Sequence, residues 1–200
     1  MPAPDQVGAL KAALARRGRD TSDYDLNPGT ALPAGRVLRP ASVLIGFQPG
    51  ADGLRLVLTK RASHLKHHPG QIAFPGGKQD EADAGPTATA LREAREEIGL
   101  AAGQVEILGT MPAHETVTSF SVTPVLAVID PDFTPIRQED EVEEVFSVPF
   151  AHIADPARYR VEGRLWRGVR RHYYTVPYGP YYIWGATARM LKALADRMET

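Results

Sequence analysis

The chain contains no cysteine. That excludes disulfides, thiolate zinc centres and a cysteine nucleophile, and it fits a reducing compartment. It also lacks charge of one prevailing sign: 23 basic against 24 acidic residues leave a formal net charge of −1. No global field draws the protein to nucleic acid or to an anionic membrane, so neither is expected as a partner. No apolar run approaches the roughly 20 residues that span a bilayer. The N-terminal stretch has no apolar core of the kind found in secretory signals, and the last three residues, Met-Glu-Thr, are not a peroxisomal address. A cytoplasmic protein is the expectation, and a homodimer is compatible with the sequence. What the chain does have is enough apolar content, 43% of 200 residues, for one sizeable core.

Periodicity divides the chain into mixed elements. Val7, Leu10 and Leu14 recur at helical spacing over 5–18, and 20–36 is a turn-rich arm. The organisation expected is a helix and arm over 1–36 packing on a domain over 37–200. Apolar β-prone runs at 41–47 and 54–59 flank a Gly- and Pro-bearing turn, the mark of a hairpin. Residues 61–70 read as a basic loop. Further strands are expected at 105–111, 122–129 and 145–148, a hairpin within 158–176, and a closing helix over 185–198. Strands and helices alternate within one α/β domain.

The clearest helix runs from Pro86 to Ile98, with proline in its first turn and Gly99 just past its end. At 100° per residue, Glu93 and Glu97 stack on one face and Glu96 joins them. Leu91, Ala94 and Ile98 form a neighbouring apolar arc. Like charges at these spacings cost about 0.2–0.5 kcal/mol per pair, and the last turn already faces the negative end of the helix dipole. A hard divalent cation, Mg²⁺ or Mn²⁺, reverses that sign because it prefers carboxylate oxygen. A glutamate cluster alone is ordinarily a solvated face. Here Gly76-Gly77 precedes it and permits close backbone approach, Asp80, Glu81 and Asp83 add acid, and Arg92 can grip a carboxylate bidentately.

Two other clusters are weaker. Arg61, His64, Lys66, His67 and His68 precede the glycines. Zinc is disfavoured there, since Pro69 and Gly70 follow at once and no third ligand is evident. Phosphate contact by Arg61 is the preferred reading, with a purely structural role as the alternative, and Lys66 and His67 are read as exposed residues. Arg158, Arg160, Arg164, Arg167, Arg170 and Arg171 interleave with Trp166, Tyr173 and Tyr174. A solvated hairpin is favoured over an RNA-binding surface, with attraction of a substrate phosphate as an intermediate reading.

Residues 77–100 resemble the Nudix box, G-x5-E-x7-R-E-U-x-E-E-x-G-U with U aliphatic. The run Arg92-Glu93-Ala94-Arg95-Glu96-Glu97-Ile98-Gly99-Leu100 follows its C-terminal half, with Ala94 at the first U. The loop departs from it. Asp83 stands at the first acidic position, and eight residues rather than seven separate it from Arg92. Residues 56–77, from Leu56-Val57-Leu58-Thr59-Lys60-Arg61 to Phe74-Pro75-Gly76-Gly77, resemble the additional motif of the coenzyme A pyrophosphatase branch, as do Val122-Thr123-Pro124-Val125, Glu139-Asp140-Glu141-Val142 and Trp184-Gly185-Ala186-Thr187.

The resemblance implies a Nudix α/β/α sandwich with a mixed sheet, plus N- and C-terminal helices. It implies metal-dependent hydrolysis of the diphosphate of CoA or its thioesters to 3′,5′-ADP and 4′-phosphopantetheine or its acyl form. Glu93, Glu96 and Glu97 are the expected metal ligands, and Arg61, His64, Gly76 and Gly77 the substrate contacts. Arg92 and Gly99 are structural. The proton acceptor is left between Glu96 and a residue of the later acidic run, Glu141 or Glu144, a run that reads equally well as a solvated strand edge; Glu97 completes the catalytic set. The alternative substrate is another nucleoside diphosphate derivative such as ADP-ribose or NADH. A stretch like SQPWPFPxS, expected of NADH enzymes, is missing. A catalytically silent Nudix-fold binding module is a further alternative, set against the retention of all three glutamates.

Overall fold

The computed structural model describes residues 4–30, 32, 34–65, 68–166 and 168–199; Lys66, His67 and Arg167 of the two basic clusters lie outside them. The chain runs α1 (Pro4–Ala15), β1 (Thr21–Ser22), β2 (Arg39–Gly50), β3 (Gly53–Arg61), β4 (Ile72–Ala73), β5 (Gly76–Lys78), α2 (Pro86–Ile98), β6 (Val105–Thr110), β7 (His114–Glu115), β8 (Phe120–Ile129), β9 (Val142–Pro149), α3 (Phe150–Ile153), β10 (Arg160–Trp166), β11 (Val169–Thr175) and α4 (Gly185–Met198).

The first nine strands form one mixed sheet in the order β1-β7-β8-β2-β3-β4, with β5 paired to β2, β6 to β8 and β9 to β3. Its centre is the parallel pair β2 and β8, with Leu44 opposite Val125 and Ile45 opposite Leu126. Successive side chains alternate faces, so these long strands are buried on both sides. On one face, Leu44, Val57, Val125, Ala127 and Ile129 pack against Ala90, Ala94 and Ile98 of α2. On the other, Ile45, Phe47, Leu56, Leu58 and Leu126 pack with Leu10 of α1 and Leu191 and Leu194 of α4. The architecture is an α/β/α sandwich, as the sequence implies. Among the described residues no helix is long and apolar enough to cross a membrane.

Several elements depart from the sequence expectations. The first helix stops at Ala15 rather than at Gly18. The hairpin strands are longer than their apolar cores and continue to a tight turn where Gly50 faces Gly53. The turn-rich arm contributes β1, which pairs in parallel with β7. There His114, fully buried, lies between Thr21 Oγ1 at 2.9 Å and Asp23 Oδ1 at 3.1 Å. The hairpin β10–β11 stands apart as a two-stranded sheet.

Candidate active site

The site is built where α2 meets the short strand β5. Pro86 opens the helix. Gly99 closes it in the left-handed conformation (φ 73°), its N–H bonding back to Arg95 O and that of Leu100 to Ala94 O. The arc facing the sheet is Ala90, Ala94, Glu97 and Ile98, so Ala90 takes the place expected of Leu91, which is half-buried. Glu97 therefore shares the buried stripe of the helix with apolar neighbours and is only 5% exposed.

The two glycines explain how a carboxylate can sit there. β5 pairs with β2, Gly77 opposite Ser42 and Gly76 opposite Val43. A Cβ on Gly76 would lie 2.4 Å from Ser42 O, and one on Gly77 2.4 Å from Glu93 Oε1. The strand can lie between β2 and α2 because both positions lack a side chain. The Gly76 N–H then donates to Glu97 Oε2 at 3.3 Å. Burial dominates, pushing the Glu97 carboxyl up to about 8; Glu93 and Glu141 push the same way, while the Gly76 bond and Arg61 oppose. Glu93 is also raised, first by burial, against the pull of Arg92.

Arg92 ties loop to helix. Its Nε and Nη2 each reach one Asp83 oxygen at 3.0 Å, a bidentate grip, and Nη2 also reaches Lys78 O at 3.0 Å. Nη1 donates to Glu93 Oε1 and Glu96 Oε2, both at 3.0 Å. Asp83 also accepts from the Asp80 N–H and the Thr89 hydroxyl. Arg92 holds its carboxyl well below the usual carboxylate range. The extra loop residue thus leaves Asp83 able to clamp Arg92. Thr89 is a partner the sequence reading missed; its signal was a polar residue next to Ala90 on the buried side of the wheel.

The remaining expected residues fall into different places. Arg61, last in β3, makes no side-chain hydrogen bond or ion pair among the described residues, yet its charge reaches Glu97. Glu141 is exposed just before β9, and its charge reaches both Glu93 and Glu97. Glu144 stands opposite Lys60 in the β3–β9 register and accepts a hydrogen bond from Tyr181, whose ring stacks on Phe146 at 3.5 Å between centroids. Phe146 packs against the core on the face opposite α2. By strand alternation Glu144 shares that face and stands away from the three glutamates. Its neighbour Glu143 is bound by Lys60 at 2.6 Å. His64 is exposed beyond β3 and has no hydrogen bond or ion pair among the described residues.

As they stand, no three carboxylate or imidazole groups among the described residues converge on one cation position. Arg92 draws Glu93 and Glu96 toward itself, and Glu96 is largely exposed. The chemistry of the donor set nevertheless fits a hard divalent ion. Glu93 and Glu97 are carboxylates whose ionisation burial opposes, and Gly77 leaves no side chain between β5 and Glu93.

Comparison with known proteins agrees with this geometry. The NUDIX domain family matches residues 37–166. An uncharacterized Nudix hydrolase, NudL, from Enterobacter sp. strain 638 is 43% identical over 161 residues, covering 78% of this chain and 81% of the relative. NudL of Escherichia coli K12 is 41% identical over the same length and coverage. Among solved structures, the MutT protein of Methanosarcina mazei Go1 superposes with a TM-score of 0.52 at 17% identity, over 82% of this chain and 97% of that one, a likeness of fold. With the family match spanning most of the chain and Glu93 and Glu97 of the box set against β5, the chain belongs to the Nudix family and is a pyrophosphohydrolase of the Nudix type.

Proposed function

We propose that the protein hydrolyses the diphosphate linkage of coenzyme A or its thioesters, releasing 3′,5′-ADP and 4′-phosphopantetheine or its acyl form, with Mg²⁺ or Mn²⁺. The observation that carries this is the 56–77 stretch. Its resemblance is to the CoA branch, and it brings in Arg61, whose charge acts on Glu97 and whose side chain makes no hydrogen bond or ion pair among the described residues. An arginine left unpaired beside acidic groups suits a diphosphate, which accepts a bidentate fork.

Glu93, Glu96 and Glu97 would hold the metal, which when bound neutralises the diphosphate and lowers the pKa of a water. The chain's own part is positioning and proton transfer, which is most of what phosphoryl transfer asks of a protein. Gly76 and Gly77 let β5 lie close against β2 and the Glu93 carboxyl, and Arg61 orients the diphosphate. The Gly76 N–H fixes Glu97, and Arg92 fixes Glu93 through the clamped loop. We assign proton acceptance from the attacking water to Glu141, which is exposed and near enough to act on Glu93 and Glu97. Glu144 is engaged by Tyr181.

The test is a product assay with CoA, ADP-ribose, NADH and capped RNA, each with Mg²⁺ or Mn²⁺. Release of 3′,5′-ADP from CoA at clearly higher kcat/KM supports the reading. A preference for ADP-ribose or NADH overturns it in favour of another nucleoside diphosphate derivative.

A further inference from the structure

On the face of the sheet opposite α2, the end of α1 and the last turns of α4 enclose a hollow of about 250 Å³. We propose that this hollow binds the phosphate group of a small phosphorylated molecule, held by Arg17 and Arg19 with the uncompensated charge of Arg197 behind them and its organic part against Met111 and Met190. The proposal is independent of the substrate assigned above.

Arg197 carries the argument. Its Nη2 donates to Leu14 O at 3.3 Å and to Arg16 O, while Arg16 donates in return to Arg197 O. That exchange joins the ends of the two helices and satisfies their free carbonyls. It uses one nitrogen of the guanidinium. Nε and Nη1 are buried and have no partner among the described residues. Leaving charged donors buried and unpaired is among the costlier defects a fold can carry, and the uncompensated positive charge favours an anion in the adjoining hollow. Gly18 lies against this group; a Cβ there would be 2.8 Å from Nη1.

The rim adds cations. Arg17 and Arg19 are exposed and make no hydrogen bond or ion pair among the described residues. The fourth arginine, Arg189, is held by Asp25 at 2.7 Å. Asp196, an acid on the same wall, is bound by Lys192. The donors open to the hollow therefore come from Arg17 and Arg19, and a tetrahedral oxyanion offers acceptors to both forks while its charge offsets that of Arg197. The volume exceeds what phosphate alone fills, and Met111 and Met190 are buried apolar walls, so an ester is preferred to the free ion.

The experiment uses the full chain in chelator, titrated with inorganic phosphate and with phenyl phosphate by calorimetry. An Arg61→Gln background removes phosphate binding beside the glutamates. We expect saturable binding, tighter for phenyl phosphate, and a loss of roughly tenfold or more in the Arg17→Gln/Arg19→Gln double variant. Both residues are exposed, so that variant tests binding without disturbing the helix junction. Tighter binding of inorganic phosphate than of phenyl phosphate overturns the ester assignment. Unchanged affinity in the double variant, or no saturable binding of either probe, overturns the site.

Discussion

Two segments of this chain crowd like charges, and they do so in opposite settings. On α2, Glu93, Glu96 and Glu97 share one side of a helix. On the β10–β11 hairpin, Arg164 stands directly opposite Arg171, with Arg170 and Arg160 nearby. The hairpin is exposed along β10, and water screens its arginines. The helix cluster is pressed against a sheet, where two of its carboxyls are held above their ordinary pKa by burial. Charge density alone is thus a poor guide to a site. What marks one is charge placed where its own ionisation is opposed, because such a carboxyl either keeps its proton or takes up a cation, the role proposed for Mg²⁺ or Mn²⁺.

The comparison is broken most directly at Glu97. Glu97→Gln keeps the shape and removes the charge. Turnover with Mg²⁺ or Mn²⁺ should fall by at least about 100-fold, the upper end of what outer partners of metal sites contribute. Wild-type turnover in a folded Glu97→Gln protein would sink the assignment of the carboxylates. Arg164→Gln, made in parallel, should leave turnover with the same metal within about twofold.

The glycines sharpen the same contrast, since each confronts a different neighbour. Gly76→Ala drives a methyl into Ser42 O and Val43 Cα, backbone atoms that cannot step aside. It should cost about 1–3 kcal/mol in denaturant unfolding. Gly77→Ala meets only the end of the Glu93 side chain, which can rotate. It should unfold near the wild type while losing turnover, because Glu93 is displaced. Equal stability losses in the two variants would contradict the close packing of β5.

A third test uses pH. The Glu97 carboxyl has an ordinary pKa of 4.5 and about 8 in the fold. A raised pKa means that the folded state binds the proton more tightly than the unfolded chain. The stability it confers is present below 4.5 and is lost as pH rises toward 8. In chelator, the wild-type Tm should therefore fall relative to Glu97→Gln across that interval, and the difference should level off above it. Parallel Tm curves would show that Glu97 is not desolvated. Added Mg²⁺ should narrow the gap at high pH by favouring the ionised carboxylate.

Much of this region is legible in the sequence for local reasons. Pro86 and Gly99 bracket α2 because proline suits a first turn and glycine the left-handed position after the last. The spacing of Glu93 and Glu97 follows from helical pitch. The strands β1 and β7 were not legible, since two-residue strands are fixed by a partner some 93 positions away, as with Thr21 and His114. The difference between Glu141 and Glu144 was hidden for the same kind of reason. Alternation tells which residues share a face, but not which face. That depends on the pairing of Glu144 with Lys60, the irregularity between Lys60 and Arg61, and a tyrosine 37 residues on. Leu91 and Ala90 were exchanged because a wheel gives an arc, and only packing on Leu44 and Val57 sets its centre.

The smallest expected effect lies on the hairpin itself. Directly opposed like charges on neighbouring strands repel, so replacing one should relieve strain rather than create it. Against this, Arg164 shares its strand face with exposed Trp166, so removing its aliphatic stem takes away apolar contact area there. Arg164→Gln should therefore change unfolding free energy by less than about 0.5 kcal/mol, as exposed substitutions do. The repulsive part should be visible as a gain that fades with added salt, since the Debye length shrinks from about 10 Å at 0.1 M to 3 Å at 1 M. A loss above 1 kcal/mol would mean that the arginine is held by a real contact. The hairpin would then stand with α2 as a place where crowded charge is structurally bound.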